Sequence, residues 1–356
     1  MPESVSLSVP KKIGETAILL VSELDLFNRD LQIQQTESSL EIPLFAEPSA
    51  EFLEKLKKKL GTFKVSVYDF TERKSLHMLP VDLLKDKLPV ELLSLVPSAV
   101  DFVGDIAIVE IPDALTEYKA LIGQAIQKAH KQTNTVLAKA GAVKGVYRIR
   151  DLELLAGENK TATVYKEYGN TLHVDVAKAY FSPRLSNEHN RVASQATPHE
   201  TVIDLFAGVG PFVIPIAKNH KTVQIHAIDI NPDAVYLLEK NIKVNHVTKQ
   251  VFPLMGDARK IVNQQLSQKA DRVIMNLPET ALEFVDVACE AIKTEGGIVH
   301  YYCFVYDSEE PLETAKVELE QAVKQNNRQV TKFLFAKTVR EVAPYAWQVV
   351  VDAQIQ

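Results

Sequence analysis

The stretch Val202-Ile203-Asp204-Leu205-Phe206-Ala207-Gly208-Val209-Gly210-Pro211-Phe212 carries the most chemical information in this sequence of 356 residues. An apolar run ends in a carboxylate, and two glycines separated by one residue then let the backbone turn tightly and a ligand approach it closely. A dinucleotide site needs a third glycine and a helix N-terminus open to pyrophosphate. Here the third glycine is missing, and Asp204 would repel phosphate. The cationic methionine end of S-adenosylmethionine suits that carboxylate better. Asp229 closes the next apolar run, 21 positions after Gly208, where an acid reaches ribose hydroxyls. Gly256-Asp257-Ala258 closes the third, where a carboxylate can accept from the adenine amino group. Any one of these acids could be only a turn residue. Three at successive strand ends, where open α/β sheets bind their ligands, favour a cofactor site. Phe206, Gly208, Ile230 and Ala258 share those turns and are expected to contact the cofactor.

The fourth apolar run ends in Met275-Asn276-Leu277-Pro278-Glu279. In enzymes that methylate planar nitrogens, an asparagine before proline holds the target base by its polar edge, although Asn-x-Pro is also a common local turn. A covalent route to a pyrimidine carbon would need a cysteine nucleophile in a loop. Cys289 falls in a helical stretch at 284–292 and Cys303 inside Tyr301-Tyr302-Cys303-Phe304, so both read as buried small hydrophobes. A nitrogen target is the simpler expectation. Neither cysteine has metal-ligand spacing, so no metal is expected, and two thiols without a disulfide framework suit a reducing compartment.

The elements that would position these residues follow from hydrophobic period. From about residue 186, apolar strand candidates at 201–206, 223–228, 250–255, 272–275 and 297–304 alternate with helical stretches. That pattern predicts a doubly wound, mostly parallel sheet covered on both faces. Two further strands at 330–336 and 347–353 are close enough in sequence to pair antiparallel at one edge. Ahead of this lies a segment with α+β character. A strand is expected over 96–112, where Phe102, Ile106, Ile108 and Ile111 alternate with polar positions, then a helix over 115–129, and strands at 146–154, 161–165 and 172–176. Residues 16–70 read as a small alternating unit: a short apolar run at 17–21, a helix at 49–60 and a strand at 64–70. Prolines at 80, 89 and 97 place a linker near 73–80. Three modules result, at 1–78, 79–185 and 186–356.

The net charge is −6, which argues mildly against a nucleic-acid partner. The average conceals an asymmetry. Residues 118–150 contain no acid, while Lys119, Lys128, Lys131, Lys139, Lys144, Arg148 and Arg150 are cationic. Such a run is either a phosphate-binding face or a solvated helix face. No apolar run approaches the length of a membrane helix, and residues 1–12 lack the apolar centre of a signal peptide, so a cytoplasmic protein is expected.

Taken together, the motifs resemble the archaeal and eukaryotic class of tRNA guanine-37 N1-methyltransferases. The resemblance runs through Phe102-Val103-Gly104-Asp105-Ile106-Ala107, Tyr147-Arg148-Ile149-Arg150, Leu155-Ala156-Gly157-Glu158-Asn159, Tyr180-Phe181-Ser182-Pro183-Arg184-Leu185, the Asp204 loop, Asn276-Leu277-Pro278 and Ala343-Pro344-Tyr345. It covers most of the chain from about Phe102 onward. The Phe-Ser-Pro-Arg-Leu string is the most specific part, because the general fold does not require it.

The resemblance implies a methyl transfer from S-adenosylmethionine to N1 of the guanosine beside the anticodon. It further implies Glu188 as general base, Arg148 as the cation on the guanine oxygen, Tyr180 and Arg184 as a motif before the base, and Asn276 at both base and cofactor. By residue type alone, Glu188 could instead be a first-turn helix acid. The position after the glutamate is commonly arginine in this class and belongs to the cofactor site; here it is His189. Lys128, Lys131, Lys144, Arg148, Arg150 and Arg184 are the expected RNA contacts. Residues 1–78 would touch the outer corner of the tRNA, and the protein would act as a monomer. Two rival expectations remain: an aminocarboxypropyl transferase of tricyclic-guanosine synthesis using the same cofactor, and a catalytically idle tRNA-binding homologue.

Overall fold

The computed structural model describes residues 2–24, 26–36, 38–72, 79–141 and 145–356. The chain divides into two compact units, Met1–Met78 and Leu79–Gln356. In the first, β1 (Glu3–Pro10), α1 (Gly14–Glu23), β2 (Gln34–Gln35), β3 (Ser39–Leu44), α2 (Ala50–Leu60) and β4 (Lys64–Asp69) form an antiparallel sheet of order β2-β3-β1-β4 with helices packed on it. The apolar run at 17–21 lies within α1, where Ala17, Leu20 and Val21 are buried and Leu19 is exposed, since a short run has no period of its own. Ser49 caps α2 by accepting from the Phe52 N–H.

The second unit opens with β5 (Val100–Val103), β6 (Ile106–Val109), α3 (Lys119–Ala129), β7 (Thr135–Lys139) and β8 (Leu152–Gly157), a sheet of order β5-β6-β7-β8 covered by α3. The single strand expected over 96–112 is in fact the hairpin β5–β6. Gly104, with φ 57°, makes the turn, and its missing side chain lets it lie against Thr163 Oγ1 and the Val164 carbonyl. Asp105 then ties the hairpin to its surroundings, accepting from Lys160 Nζ at 2.6 Å, Thr163 Oγ1 at 2.7 Å and Asn134 Nδ2 at 2.8 Å. Burial alone would raise its pKa, but these donors hold it at about 2. The Phe-Val-Gly-Asp motif is thus a structural joint. The strand expected over 146–154 begins only at Leu152, because residues 145–148 turn; β7 is a strand that its own alternation did not signal.

Next come β9 (Ala162–Glu167), β10 (Asn170–Asp175), α4 (Ser186–Gln195), β11 (Thr201–Asp204), α5 (Val213–Asn219), β12 (Gln224–Asp229), α6 (Pro232–Val244), β13 (Val251–Met255), α7 (Ala258–Ile261), β14 (Arg272–Met275), α8 (Val285–Ala291), β15 (Gly297–Tyr306), α9 (Pro311–Gln325), β16 (Val330–Ala343) and β17 (Ala346–Ile355). The main sheet has the order β13-β12-β11-β14-β15-β17-β16. Its first five strands are parallel, and β17 and β16 add antiparallel at one edge.

Period-2 alternation splits the core into two layers. Val273, Met275, Tyr301, Cys303, Val349 and Val351 pack beneath α7, α8 and α9, while Ile274, Tyr302 and Val350 face α4, α5 and α6. The β9–β10 hairpin joins the second layer through Leu172 and Val174. Asn241 on α6 and Asn245 at its C-terminal cap bond the N–H and the C=O of His173 and of Thr171 respectively, so two side-chain amides act as the missing neighbour strand for β10.

Candidate active site

Strand direction places the carboxyl ends of β11, β12, β13 and β14 along one cleft, a cavity of about 210 Å³. Its wall includes Arg148, Tyr180, His189, Phe206, Gly208, Asp229, Ile230, Asp257, Ala258 and Asn276. These ten expected site residues therefore converge, although they come from positions 148 to 276.

The loop after β11 is shaped by its acids. Gly208, with φ 54°, donates its N–H to Asp229 Oδ2 at 2.7 Å, and the Asn231 N–H donates to Oδ1 at 2.8 Å. Burial raises the Asp229 pKa in spite of these bonds. Asp257 turns Oδ1 to the N–H of Arg259 at 2.8 Å and so caps α7. Asp204 does not itself line the cleft. It lies fully buried under the loop, where Oδ1 accepts from the Phe206 N–H at 3.1 Å and Oδ2 has no partner. Burial, with Asp229 adding to it, pushes Asp204 up to about 7. Asn276 Oδ1 is likewise buried without a partner. Buried acceptors are almost always satisfied, so the Asn276 oxygen, whose residue lines the cleft, is an acceptor open to a donor there.

Arg148 sits in the left-handed region, φ 54°, an uncommon conformation for a non-glycine residue. Its guanidinium lies 5.8 Å from the Tyr180 ring centroid and donates to Glu279 Oε2 at 2.5 Å. Glu279, the acid after Asn276-Leu277-Pro278, is thereby the ion-pair partner of Arg148. His189 has a partner that sequence did not suggest: its Nδ1 lies 2.8 Å from Glu167 Oε1 on β9, and the Phe212 ring meets it edge-on at 4.7 Å.

Glu188 is not part of the cleft wall. It is buried, and its Oε2 accepts from Arg191 Nε at 2.9 Å and from the Tyr302 hydroxyl at 3.0 Å. Arg191 also clamps Asp352 at 2.5 Å, and Asp352 accepts from His300 Nδ1 at 2.7 Å. Arg272 Nη1 is 2.7 Å from His300 Nε2 and can only donate, so His300 is neutral, consistent with burial lowering its pKa. Burial alone would raise Asp352, but His300 and Arg191 hold it at about 2.

The basic run is less cationic in space than in sequence. Lys119 pairs with Glu153, Lys139 with Glu110 and Arg148 with Glu279. Lys128 and Lys131 are exposed, Arg150 lines a second cavity beside Tyr180, and Arg184 is bound to Asp101. Lys144 lies outside the described residues. Gln348 and Phe284 also line the cleft and were not anticipated; strand alternation and helix period mark them only as core.

Residues 163–331 match the TRM5/TYW2 methyltransferase domain, and residues 81–161 match a TYW2 N-terminal domain. The chain is 39% identical over 307 residues to a tRNA (guanine(37)-N(1))-methyltransferase, Trm5b, of Pyrococcus abyssi, covering 85% of this chain and 84% of that one. The crystal structure of Trm5b from that organism superposes with a TM-score of 0.71 over 99% of both chains at 34% identity. A structure titled as the complex of aTrm5 and tRNALeu gives 0.67 at 33% identity, covering 99% of this chain and 100% of that one. A tRNA(Phe) (4-demethylwyosine(37)-C(7)) aminocarboxypropyltransferase of Methanocaldococcus jannaschii is 32% identical over 71% of this chain and 96% of its own. With the strand-end acids, the Asn-Leu-Pro turn and this extent of identity together, the chain belongs to the archaeal and eukaryotic tRNA (guanine-37-N1)-methyltransferase family.

Proposed function

We propose that this protein methylates N1 of guanosine 37 in tRNA, with S-adenosylmethionine as methyl donor. The observation that carries the reading is the orphaned Asn276 Oδ1 on the wall of the cleft that Asp229 and Asp257 also line. An acceptor buried without a donor suits the N–H edge of a guanine. The free Asp204 Oδ2 beneath the loop similarly suits a cationic ligand above it. Bound S-adenosylmethionine supplies an electrophilic methyl group.

The chain's own residues divide the remaining work. Asp229 and Asp257 hold the nucleoside, with Phe206, Gly208, Ile230 and Ala258 as the surrounding wall. Arg148 stabilises the negative charge that develops on the guanine oxygen as N1 loses its proton, an interaction stronger in the transition state than before it. Glu188 receives that proton; to do so its carboxylate must turn from Tyr302 and Arg191 toward the cleft. Tyr180 packs beside the base. Lys128, Lys131, Lys144, Arg150 and Arg184 contact RNA phosphates, residues 79–185 form the central RNA-binding module, and residues 1–78 contact the tRNA outside the anticodon arm. Residues 186–356 form the methyltransferase module. The protein works as a cytoplasmic monomer; among the described residues no helix is long and apolar enough to cross a membrane.

The test is transfer of labelled methyl to tRNA transcripts carrying each base at position 37, with mass analysis of the product nucleoside. Incorporation only with guanosine, as N1-methylguanosine, is expected. Aminocarboxypropyl product, or cofactor binding without turnover on any tRNA, overturns the reading.

A further inference from the structure

Gln348 on β17 lines the cleft, yet the proposed reaction leaves it unused. It is 1% exposed. Strand register places it opposite Phe304 on β15 and Arg340 on β16. The Phe304 N–H donates to the Pro278 carbonyl at 3.0 Å, so β15 ties Gln348 to the Asn276-Leu277-Pro278 turn. Sheet order then sets its place in the cleft. Asp229 and Asp257 follow from β12 and β13 on one side of β14, and β17 lies on the other. Gln348 therefore belongs to the end that receives the target base, away from the nucleoside of the cofactor.

Arg340 decides which end of the Gln348 amide is left for the cleft. Arginine Nε can only donate, and it lies 2.8 Å from Gln348 Oε1. The carbonyl is thereby engaged, and the N–H₂ group remains. Among the described residues that group has no hydrogen-bond partner. An amide donor in so buried a residue is costly unless an acceptor completes it. The cleft thus offers one orphaned acceptor, Asn276 Oδ1, and one donor without a partner, both tied to the same turn.

We propose that Gln348 determines base specificity by donating its amide N–H₂ to the O6/N7 edge of the target guanine, a contact that rests on the base-methylation reading above. The pattern matches guanine and not adenine. Guanine presents O6 and N7 as neighbouring acceptors, whereas adenine places an N6–H₂ donor beside N7. A free glutamine amide would suit adenine, giving to N7 and taking from N6. Arg340 occupies the carbonyl that would do the taking. What remains is a donor that would face adenine's amino group, which disfavours that base. The same contact assists the reaction. Negative charge grows on O6 as N1 gives up its proton, so a donor there, beside Arg148, is worth more in the transition state than before it.

The experiment measures single-turnover methylation of tRNA carrying guanosine, 6-thioguanosine or 7-deazaguanosine at position 37, by the full chain and by Gln348→Glu and Gln348→Met. The first analogue weakens the acceptor at position 6, and the second replaces N7 by C–H. Gln348→Glu keeps an oxygen for Arg340 and turns the donor into an acceptor; Gln348→Met removes the amide without adding charge. Both variants are expected to methylate guanosine about 10- to 100-fold more slowly, with unchanged calorimetric affinity for S-adenosylhomocysteine, which also reports folding. At least one analogue should slow the wild type more than it slows either variant, by about fivefold or more, because the variants have already lost the contact. Equal slowing of wild type and variants by both analogues, or a wild-type rate in Gln348→Glu, overturns the proposal. Weakened S-adenosylhomocysteine binding by Gln348→Glu overturns it too, by placing the residue on the cofactor. Failure of the wild type to methylate tRNA with guanosine at position 37 would instead overturn the function reading itself.

Discussion

Asp204→Asn should make the cofactor-free protein more stable while damaging the site. Asp204 is fully buried with one hydrogen bond, from the Phe206 N–H, and Oδ2 has none. Its pKa is pushed up to about 7 from an ordinary 3.8, chiefly by burial. Keeping the ionised form inside above pH 7 therefore costs on the order of 4 kcal/mol. Asparagine retains the acceptor for Phe206, but its amide N–H₂ takes the place of the unpartnered oxygen and gives back about 1–3 kcal/mol. The net gain is about 1–3 kcal/mol at pH 8. The native state holds the Asp204 proton more tightly than the unfolded chain does. Wild-type stability thus rises as pH falls from about 7 toward 3.8, and the variant's advantage disappears over that window. Denaturant unfolding of both proteins without cofactor, at pH 8 and near pH 4.5, measures the difference. Calorimetry should show S-adenosylmethionine bound about 10- to 100-fold more weakly by the variant, because the negative charge beneath the cofactor loop, proposed above to favour a cationic ligand, is gone. A variant less stable than wild type at pH 8, or a stability difference that does not change with pH, would refute the argument.

Glu188→Gln should slow single-turnover methylation by about 10²- to 10⁴-fold, with partial recovery at higher pH, and leave tRNA and cofactor affinities intact; a wild-type rate at neutral pH would reduce Glu188 to a structural partner of Arg191 and Tyr302. Glu279→Gln frees Arg148 from a half-exposed ion pair, so tRNA affinity at low salt should rise by up to about fivefold in filter binding; a decrease would mean that Glu279 positions Arg148 productively. Reversing Lys128 and Lys131 to glutamate should weaken tRNA binding and flatten its log–log salt slope by about 2, with cofactor affinity unchanged; an unaltered slope would make that segment merely a solvated face.

Sequence alone determined the parts of this protein that depend on local pattern. Continuous apolar runs separated by helical stretches specify a parallel sheet, and such a sheet brings all its strand ends to one edge. Asp229, Asp257 and Asn276 could therefore be assigned to a common cleft before any contact was known. The Gly208 turn was legible for the same reason, as a run of short-range backbone constraints. The tertiary structure alone decided which charges meet. Arg148 and Glu279 are 131 positions apart and lie in one ion pair; His189 finds Glu167 on a strand that alternation marks only as half-buried. Glu188 bonds Tyr302 and Arg191 and is not part of the cleft wall, whereas the resemblance implied a general base at the reacting nitrogen. An acid-free stretch of chain acquires Glu110, Glu153 and Glu279 as partners once strands and helices pack. Hydrophobic period sets which face of an element is buried, because burial acts on every apolar residue of that face alike. A charged side chain's partner depends on the relative placement of elements distant in sequence, and no period within either element encodes that placement.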